Sequence, residues 1–263
     1  LLTQTDGRMS AICTINQTAL CHNYKVLKSY APDARVMLMC KGNAYGHGIA
    51  AVLPYLPSHD RIAVATCDEA LSVLALEPKR RVVLTCGLDD IAVLQALAPY
   101  QVDFVIHSSW QVALFDHLPA GCQVNVWLKL ETGMHRLGLA EEEVDSCYQA
   151  CRNHSAINQI HWMSHFACAN ERDLVSLDQQ TQKFLAMVNP YPGMKSLLNS
   201  AALVQACPPC DVVRFGLMLY GISPFDDQMA ADFGLRPVMT FESRVIAIKS
   251  LQPGDGVGYG ATF

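Results

Sequence analysis

The stretch Arg35-Val-Met-Leu-Met-Cys-Lys41-Gly-Asn-Ala-Tyr-Gly-His-Gly48 runs from an unbroken apolar segment into a lysine and a glycine-punctuated turn. The apolar segment is short and bounded, which reads as a strand buried on both faces. Apolar residues at helical spacing follow over 49–56, so the stretch reads as strand, turn and helix. Upstream, 16–30 is a predicted helix with Asn16 at its N-cap.

The strand recurs seven times downstream. Predicted strands over 62–66, 82–85, 102–106, 124–130, 157–165, 195–199 and 212–214 alternate with predicted helices over 68–76, 89–97, 108–117, 141–152, 170–188 and 200–206. Ser108 is placed as an N-cap, and Ser200 is an N-cap candidate. Apolar runs suit a parallel sheet covered on both sides, and eight βα units in roughly 200 residues fit a TIM (β/α)8 barrel. A doubly wound open sheet is the competing arrangement, but no G-x-G-x-x-G follows the first strand. After Pro224 the texture changes. Residues 235–248 are strand-like, Pro253-Gly-Asp-Gly256 is a predicted turn, and glycine-spaced sequence runs on to Phe263. The expected organisation is a barrel over 9–226 and the start of a β-rich C-terminal domain over 227–263, broken off mid-pattern.

Composition narrows the class. The chain has 263 residues, 51% hydrophobic and 16% charged, with a formal net charge of -5. Disorder needs the reverse balance. The mild acidity argues against nucleic acid as a partner, because no basic stripe is present to displace phosphate counterions. No apolar run reaches the roughly 20 residues of a membrane helix, and the first residues lack a signal-peptide pattern. Eleven cysteines are an odd number in a long chain, unlike a secreted disulfide framework. Cys40, Cys86 and Cys122 lie in or beside apolar runs and read as small buried hydrophobes in a reducing cytoplasm.

In a barrel of this kind the chemistry sits at the C-terminal ends of the strands. The polar residues expected there are Lys41, the loop Thr132-Gly-Met-His-Arg-Leu-Gly138, His165, Asn199-Ser200 and Arg214 with Phe215-Gly216-Leu217. A lysine ending an apolar strand is costly unless it is paired or neutralised. It either reaches solvent or forms a Schiff base with an aldehyde cofactor. Ser200 and Gly216-Leu217 follow the last two strands, where barrels often bind phosphate. A Schiff-base lysine with a phosphate cradle points to pyridoxal 5′-phosphate. Metal is not expected.

These residues carry a specific resemblance. Lys41-Gly-Asn-Ala-Tyr-Gly-His-Gly48 resembles the cofactor-lysine signature of the alanine racemase family, with Gly42 the one departure. The 132–138 loop, Ser164-His-Phe-Ala167, Asn199-Ser-Ala-Ala202, Val213-Arg-Phe-Gly216, Leu219-Tyr-Gly221 and Gly258-Tyr-Gly-Ala-Thr262 match in the same order. The resemblance implies a barrel with a β-rich C-terminal domain, a head-to-tail homodimer, and racemisation of L- and D-alanine for peptidoglycan.

It implies roles as well. Lys41 carries the cofactor and is the base for the D-enantiomer. Tyr259, contributed in trans, is the base for the L-enantiomer. Arg214 bonds the pyridine nitrogen and His165 orients Arg214. Tyr45, Ser200, Gly216 and Leu217 hold the phosphate, with Asn199 grouped beside them. Arg136 touches the cofactor's phenolic oxygen and the substrate, and Lys129 matches a position often carbamylated. The family would need on the order of another hundred residues to finish its second domain. A serine or broad-specificity racemase and a non-catalytic cofactor-binding barrel are the competing functions. His47 and His135 read as loop-supporting residues, Cys147 and Cys151 as helix packing, and Cys207-Pro-Pro-Cys210 as structural rather than redox or metal-binding.

Overall fold

A computed structural model of the chain describes residues 11–171, 174–205, 208 and 210–261. Its strands are β1 (Ile12–Ile15), β2 (Arg35–Met39), β3 (Arg61–Val64), β4 (Val82–Leu84), β5 (Val102–Ile106), β6 (Val124–Lys129), β7 (Ile157–Met163), β8 (Lys195–Ser196), β9 (Val212–Phe215) and β10 (Met239–Glu242). Strands β2 to β9 form one parallel sheet in the order β8-β7-β6-β5-β4-β3-β2-β9. The seam between β8 and β9 is closed by Asp211 N donating to Lys195 O at 3.0 Å and Arg214 N donating to Leu198 O at 3.1 Å. All eight expected barrel strands are present. The architecture is a (β/α)8 barrel with a small antiparallel sheet, β1 with β10, beside it.

Alternation along the strands separates two cores. Met37, Ala63, Val83, Val105, Trp127, Met163 and Val212 form a cluster inside the barrel. Their neighbours Val36, Leu38, Ile62, Val82, Leu84, Phe104 and Val126 join the outer core beneath the helices. Stepping two residues on from an inward position keeps the same face. This register carries Lys41, Ala65, Thr85, Lys129, His165 and Arg214 to the C-terminal mouth. At the opposite end Arg61 Nε donates to Asp103 Oδ2 at 3.1 Å, and Trp127 Nε1 and Asn125 Nδ2 also donate to that carboxylate. The paired charge plugs the barrel floor.

The helix Gln17–Tyr30 is capped as expected, with Asn16 Oδ1 accepting from Ala19 N at 3.0 Å. Asn23 on this helix is fully buried. Its amide donates to Leu219 O and Arg236 O and accepts from Arg236 N at 2.8 Å. One side chain thus ties the chain after the barrel back onto the first helix. Asn23→Ala strands these backbone groups and leaves a small void. We expect a loss of about 3 kcal/mol in urea unfolding; a loss under about 1 kcal/mol would remove Asn23 from this role.

Several expectations are corrected. Residues 109–117 form a 3-10 helix rather than an α-helix. The long helix expected over 170–188 is Val175–Val188. The strand expected over 195–199 ends at Ser196, because the carbonyls of Leu197 and Leu198 bond Arg214. Of 235–248 only 239–242 is strand. Val245, Ile246 and Ile248 beyond it are 75–90% exposed, so among the described residues no partner strand covers them. The turn at 253–254 is present, with Asp255 N donating to Gln252 O at 3.0 Å.

Candidate active site

A cavity of about 500 Å3 opens at the C-terminal mouth of the barrel. Lys41, Tyr45, Lys129, Arg136, His165, Asn199, Ser200, Arg214, Gly216 and Leu217 all line it. Every expected site residue except Tyr259 is therefore brought to one place. Tyr259 is fully exposed at 105% and does not line the cavity of its own chain. Four lining residues are cationic and none is acidic. Such a site suits an anionic ligand.

Lys41 follows β2 through Cys40. The next four residues turn left-handed, with φ of 61, 52, 56 and 52° at Gly42, Asn43, Ala44 and Tyr45. Three of the four carry side chains, and each costs about 1–2 kcal/mol in this conformation. The turn is held from three sides. Glu69 accepts from Gly42 N and from Ala65 N. Asn43 Oδ1 accepts from Ile49 N at 2.9 Å. His47 Nδ1 donates to Ala44 O at 3.0 Å, and its ring packs on Tyr220 at 4.6 Å. His47 is thus loop support, as expected. Gly42 relieves one of the four strained positions, since its φ suits glycine.

Arg214 is the most tightly held side chain of the site. Its Nη1 donates to Ser196 O and Ser196 Oγ. Its Nη2 faces Ser164 O, Leu197 O and His165 Nδ1. Its Nε has no protein partner among the described residues. That donor is oriented by carbonyls and hydroxyl on every other nitrogen. Burial pushes the guanidinium down to about 10, so it stays charged at neutral pH. Ser196 in this bracket was not legible in the sequence.

His165 sits among these cations. Burial, then Arg214, Lys129, Arg136 and Lys41, push its imidazole down to about 2. It is neutral and can accept from Arg214 at 3.2 Å. His161 on the barrel floor is pushed down to about 4 by burial. Both imidazoles remain neutral when folded but take up protons near pH 6.5 when unfolded. Their contribution is complete above about pH 6.5 and is lost as pH falls. We expect urea midpoints to drop between pH 6.5 and 4; a flat profile would contradict these placements.

The last two strands build a small cradle. Gly216 N donates to Ser200 Oγ at 3.2 Å. A Cβ on Gly216 would meet Tyr45 Oη at 3.4 Å and Ser200 Oγ at 3.6 Å. Asn199, not Ser200, caps the helix Ser200–Gln205, its Oδ1 accepting from Ala202 N at 3.0 Å. Ser200 is freed to face the cradle. Lys129, at 8% exposure, is pushed down to about 8, first by burial and then by Arg136 and Arg214. Arg136 reaches the cavity from the irregular 132–138 loop, where the Thr132 hydroxyl bonds Ser164 Oγ at 2.7 Å. His135 in that loop is exposed, 3.8 Å from Glu131.

The cysteine reading is corrected in part. Cys40, Cys147 and Cys151 are buried, but Cys86 is exposed and Cys122 half-buried. Cys86 lies past the end of β4, in the cavity wall rather than the core. Cys210 Sγ accepts from Leu197 N and contacts two carbonyls, while Cys207 lies outside the described residues.

A lysine at a strand end, a cradle on the last two strands and an oriented arginine converge in the register that the motifs require. The profile of the alanine racemase N-terminal domain matches residues 15–224. The chain belongs to the alanine racemase family. It is 37% identical over 257 residues to an alanine racemase of Halorhodospira halophila, covering 97% of this chain and 71% of that protein. The crystal structure of the biosynthetic alanine racemase of Pseudomonas aeruginosa matches with a TM-score of 0.92 at 35% identity, over 97% of this chain and 72% of that one. Alanine racemase of Acinetobacter baumannii matches with a TM-score of 0.89 at 33% identity, over 97% and 72%. The racemase site residues read from sequence fall on one cavity of this family's barrel, Tyr259 excepted.

Proposed function

We propose that the chain is a pyridoxal-phosphate-dependent alanine racemase with Lys41 and Tyr259 as its two bases. The observation that carries this reading is the single cavity joining Lys41, the Ser200–Gly216–Tyr45 cradle and the Nε of Arg214, which has no partner among the described residues. The residues fit the cofactor. The cradle offers a hydroxyl pair and a glycine where any side chain would intrude on a phosphate. Arg214 Nε offers a donor to a ring nitrogen. When bound, pyridoxal phosphate supplies electron withdrawal that acidifies the amino acid's Cα–H.

The chain's own residues then divide the work. Lys41 anchors the cofactor and takes or returns a proton on one face of Cα. Tyr259 of a second copy does so on the other face. Two bases on opposite faces are what inversion requires. The complete exposure of Tyr259 suits a residue that serves a neighbouring subunit in a head-to-tail homodimer. Arg214 is a permanent donor, so it bonds the ring nitrogen without protonating it. His165, neutral, accepts from Arg214 and fixes its plane. Arg136 draws the phenolic oxygen and the substrate carboxylate. Lys129, poised near 8, has enough neutral amine to take up carbon dioxide as a carbamate, which would balance Arg136.

Arg214→Glu trades a permanent donor for an acceptor at that atom. The expected result is more transamination relative to racemisation; an unmoved partition would sink this electronic role. The barrel over 9–226 and the β-rich remainder over 227–263 are read as separate domains. The unpaired thiols suit a reducing cytoplasm. The product, D-alanine, would serve peptidoglycan. Serine is the runner-up substrate, because an apolar pocket rejects an added hydroxyl by only about a hundredfold. The test is cofactor absorbance with a racemisation assay on both amino acids. Alanine faster than serine is expected; absorbance without racemisation of either would leave a non-catalytic cofactor-binding barrel.

A further inference from the structure

Cys86 has no part in the reading above. Among the described thiols only Cys13 and Cys86 are exposed, and only Cys86 lines the active-site cavity. It stands there with Thr85, Lys129 and Arg136. Cys40, Cys147 and Cys151 are buried and closed to reagents, and burial pushes the Cys40 thiol up to about 12.

Lys129 supplies a second, independent observation. Its side chain is more than nine-tenths buried, lines the same cavity and has no hydrogen-bond or ion-pair partner among the described residues. Its ammonium is repelled by Arg136 and Arg214 and attracted by Cys86 and Glu131. Cys86 and this lysine thus face one cavity lined by four cationic side chains and no acidic one. The thiolate is the reactive form of cysteine, and electropositive, accessible surroundings are where reactive cysteines occur.

We propose that Cys86 is a modification site for soft carbon electrophiles, and that its adduct and pyridoxal phosphate exclude one another from the cavity. This rests on the cofactor reading above. With a maleimide, the Cys86 sulfur adds to one carbon of the C=C bond. The π bond breaks, a new S–C bond forms, and the neighbouring carbon takes a proton from water. The adduct then fills space between β4 and Lys129 that the bound cofactor would occupy.

The experiment uses N-ethylmaleimide on the purified protein, with peptide mapping of every cysteine, with and without pyridoxal phosphate. Parallel samples are reduced with borohydride to fix the cofactor on its lysine. At cofactor a hundred times its Kd, labelling of Cys86 should slow about a hundredfold by mass action, while Cys13 labels unchanged. Lys129→Met should slow Cys86 labelling in the cofactor-free protein, and Cys86→Ser should keep its cofactor absorbance after maleimide. Equal labelling of Cys86 with cofactor fixed on Lys41 would overturn the proposal and leave the cofactor reading standing. So would a Cys86 that fails to label while Cys13 does. Labelled Cys86 with no cofactor fixed on Lys41 would overturn both, through the failure of the cofactor reading.

Discussion

With the proposed roles, Lys41→Ala is expected to abolish the visible absorbance of bound pyridoxal phosphate and to lower racemisation by about a thousandfold or more. The size follows from what the side chain does. On the proposed reading it anchors the cofactor covalently and serves as one of two bases, and a positioned base alone is worth about 10²–10⁴ in rate. The fold should not notice. Lys41 lies past the end of β2, and the turn after it is held by Glu69, Asn43 and His47 rather than by the ammonium. The check is a spectrum, a coupled assay and a thermal melt on one preparation. Retained absorbance with a native melt would place the cofactor elsewhere; lost absorbance with a shifted melt would show that Lys41 supports the strained turn.

Tyr259→Phe separates the two faces of the substrate. L- and D-alanine are equal in energy, so net racemisation must fall by the same factor in both directions. Exchange of the Cα hydrogen with solvent need not. Without the phenol oxygen, abstraction from L-alanine slows by about 10²–10³, while Lys41 continues to exchange the hydrogen of D-alanine. In D2O the expected result is deuterium entering D-alanine with retained configuration while L-alanine stays unlabelled. Equal exchange from both enantiomers would contradict the assignment of Tyr259 to one face. The side chain is fully exposed on its own chain, so dilution toward monomer should lower activity as the substitution does.

The barrel was legible because its strands are continuous apolar runs. Val102–Ile106 appears with the bounds the sequence predicts, and all eight strands are found. The site was legible because Lys41, His165 and Arg214 end those runs. Contacts made by side chain to backbone across the fold were not. Ser196 and Glu69 lie in no periodic pattern, yet one brackets Arg214 and the other anchors the lysine turn. The left-handed turn itself was half visible, since Gly42 marks one position and the following residues do not. The pairing of β1 with β10 joins opposite ends of the chain, and short strands carry no signal of so distant a partner. Cys86 was misread for a related reason. Its apolar neighbours belong to β4, but the residue itself has already left the strand.

The most direct test of the central claim is borohydride reduction of the protein incubated with pyridoxal phosphate, followed by mapping of the modified peptide. A single phosphopyridoxyl group on Lys41 is the expected result, with Lys129 unmodified. A group on Lys129 or any other lysine, or none at all, would contradict it.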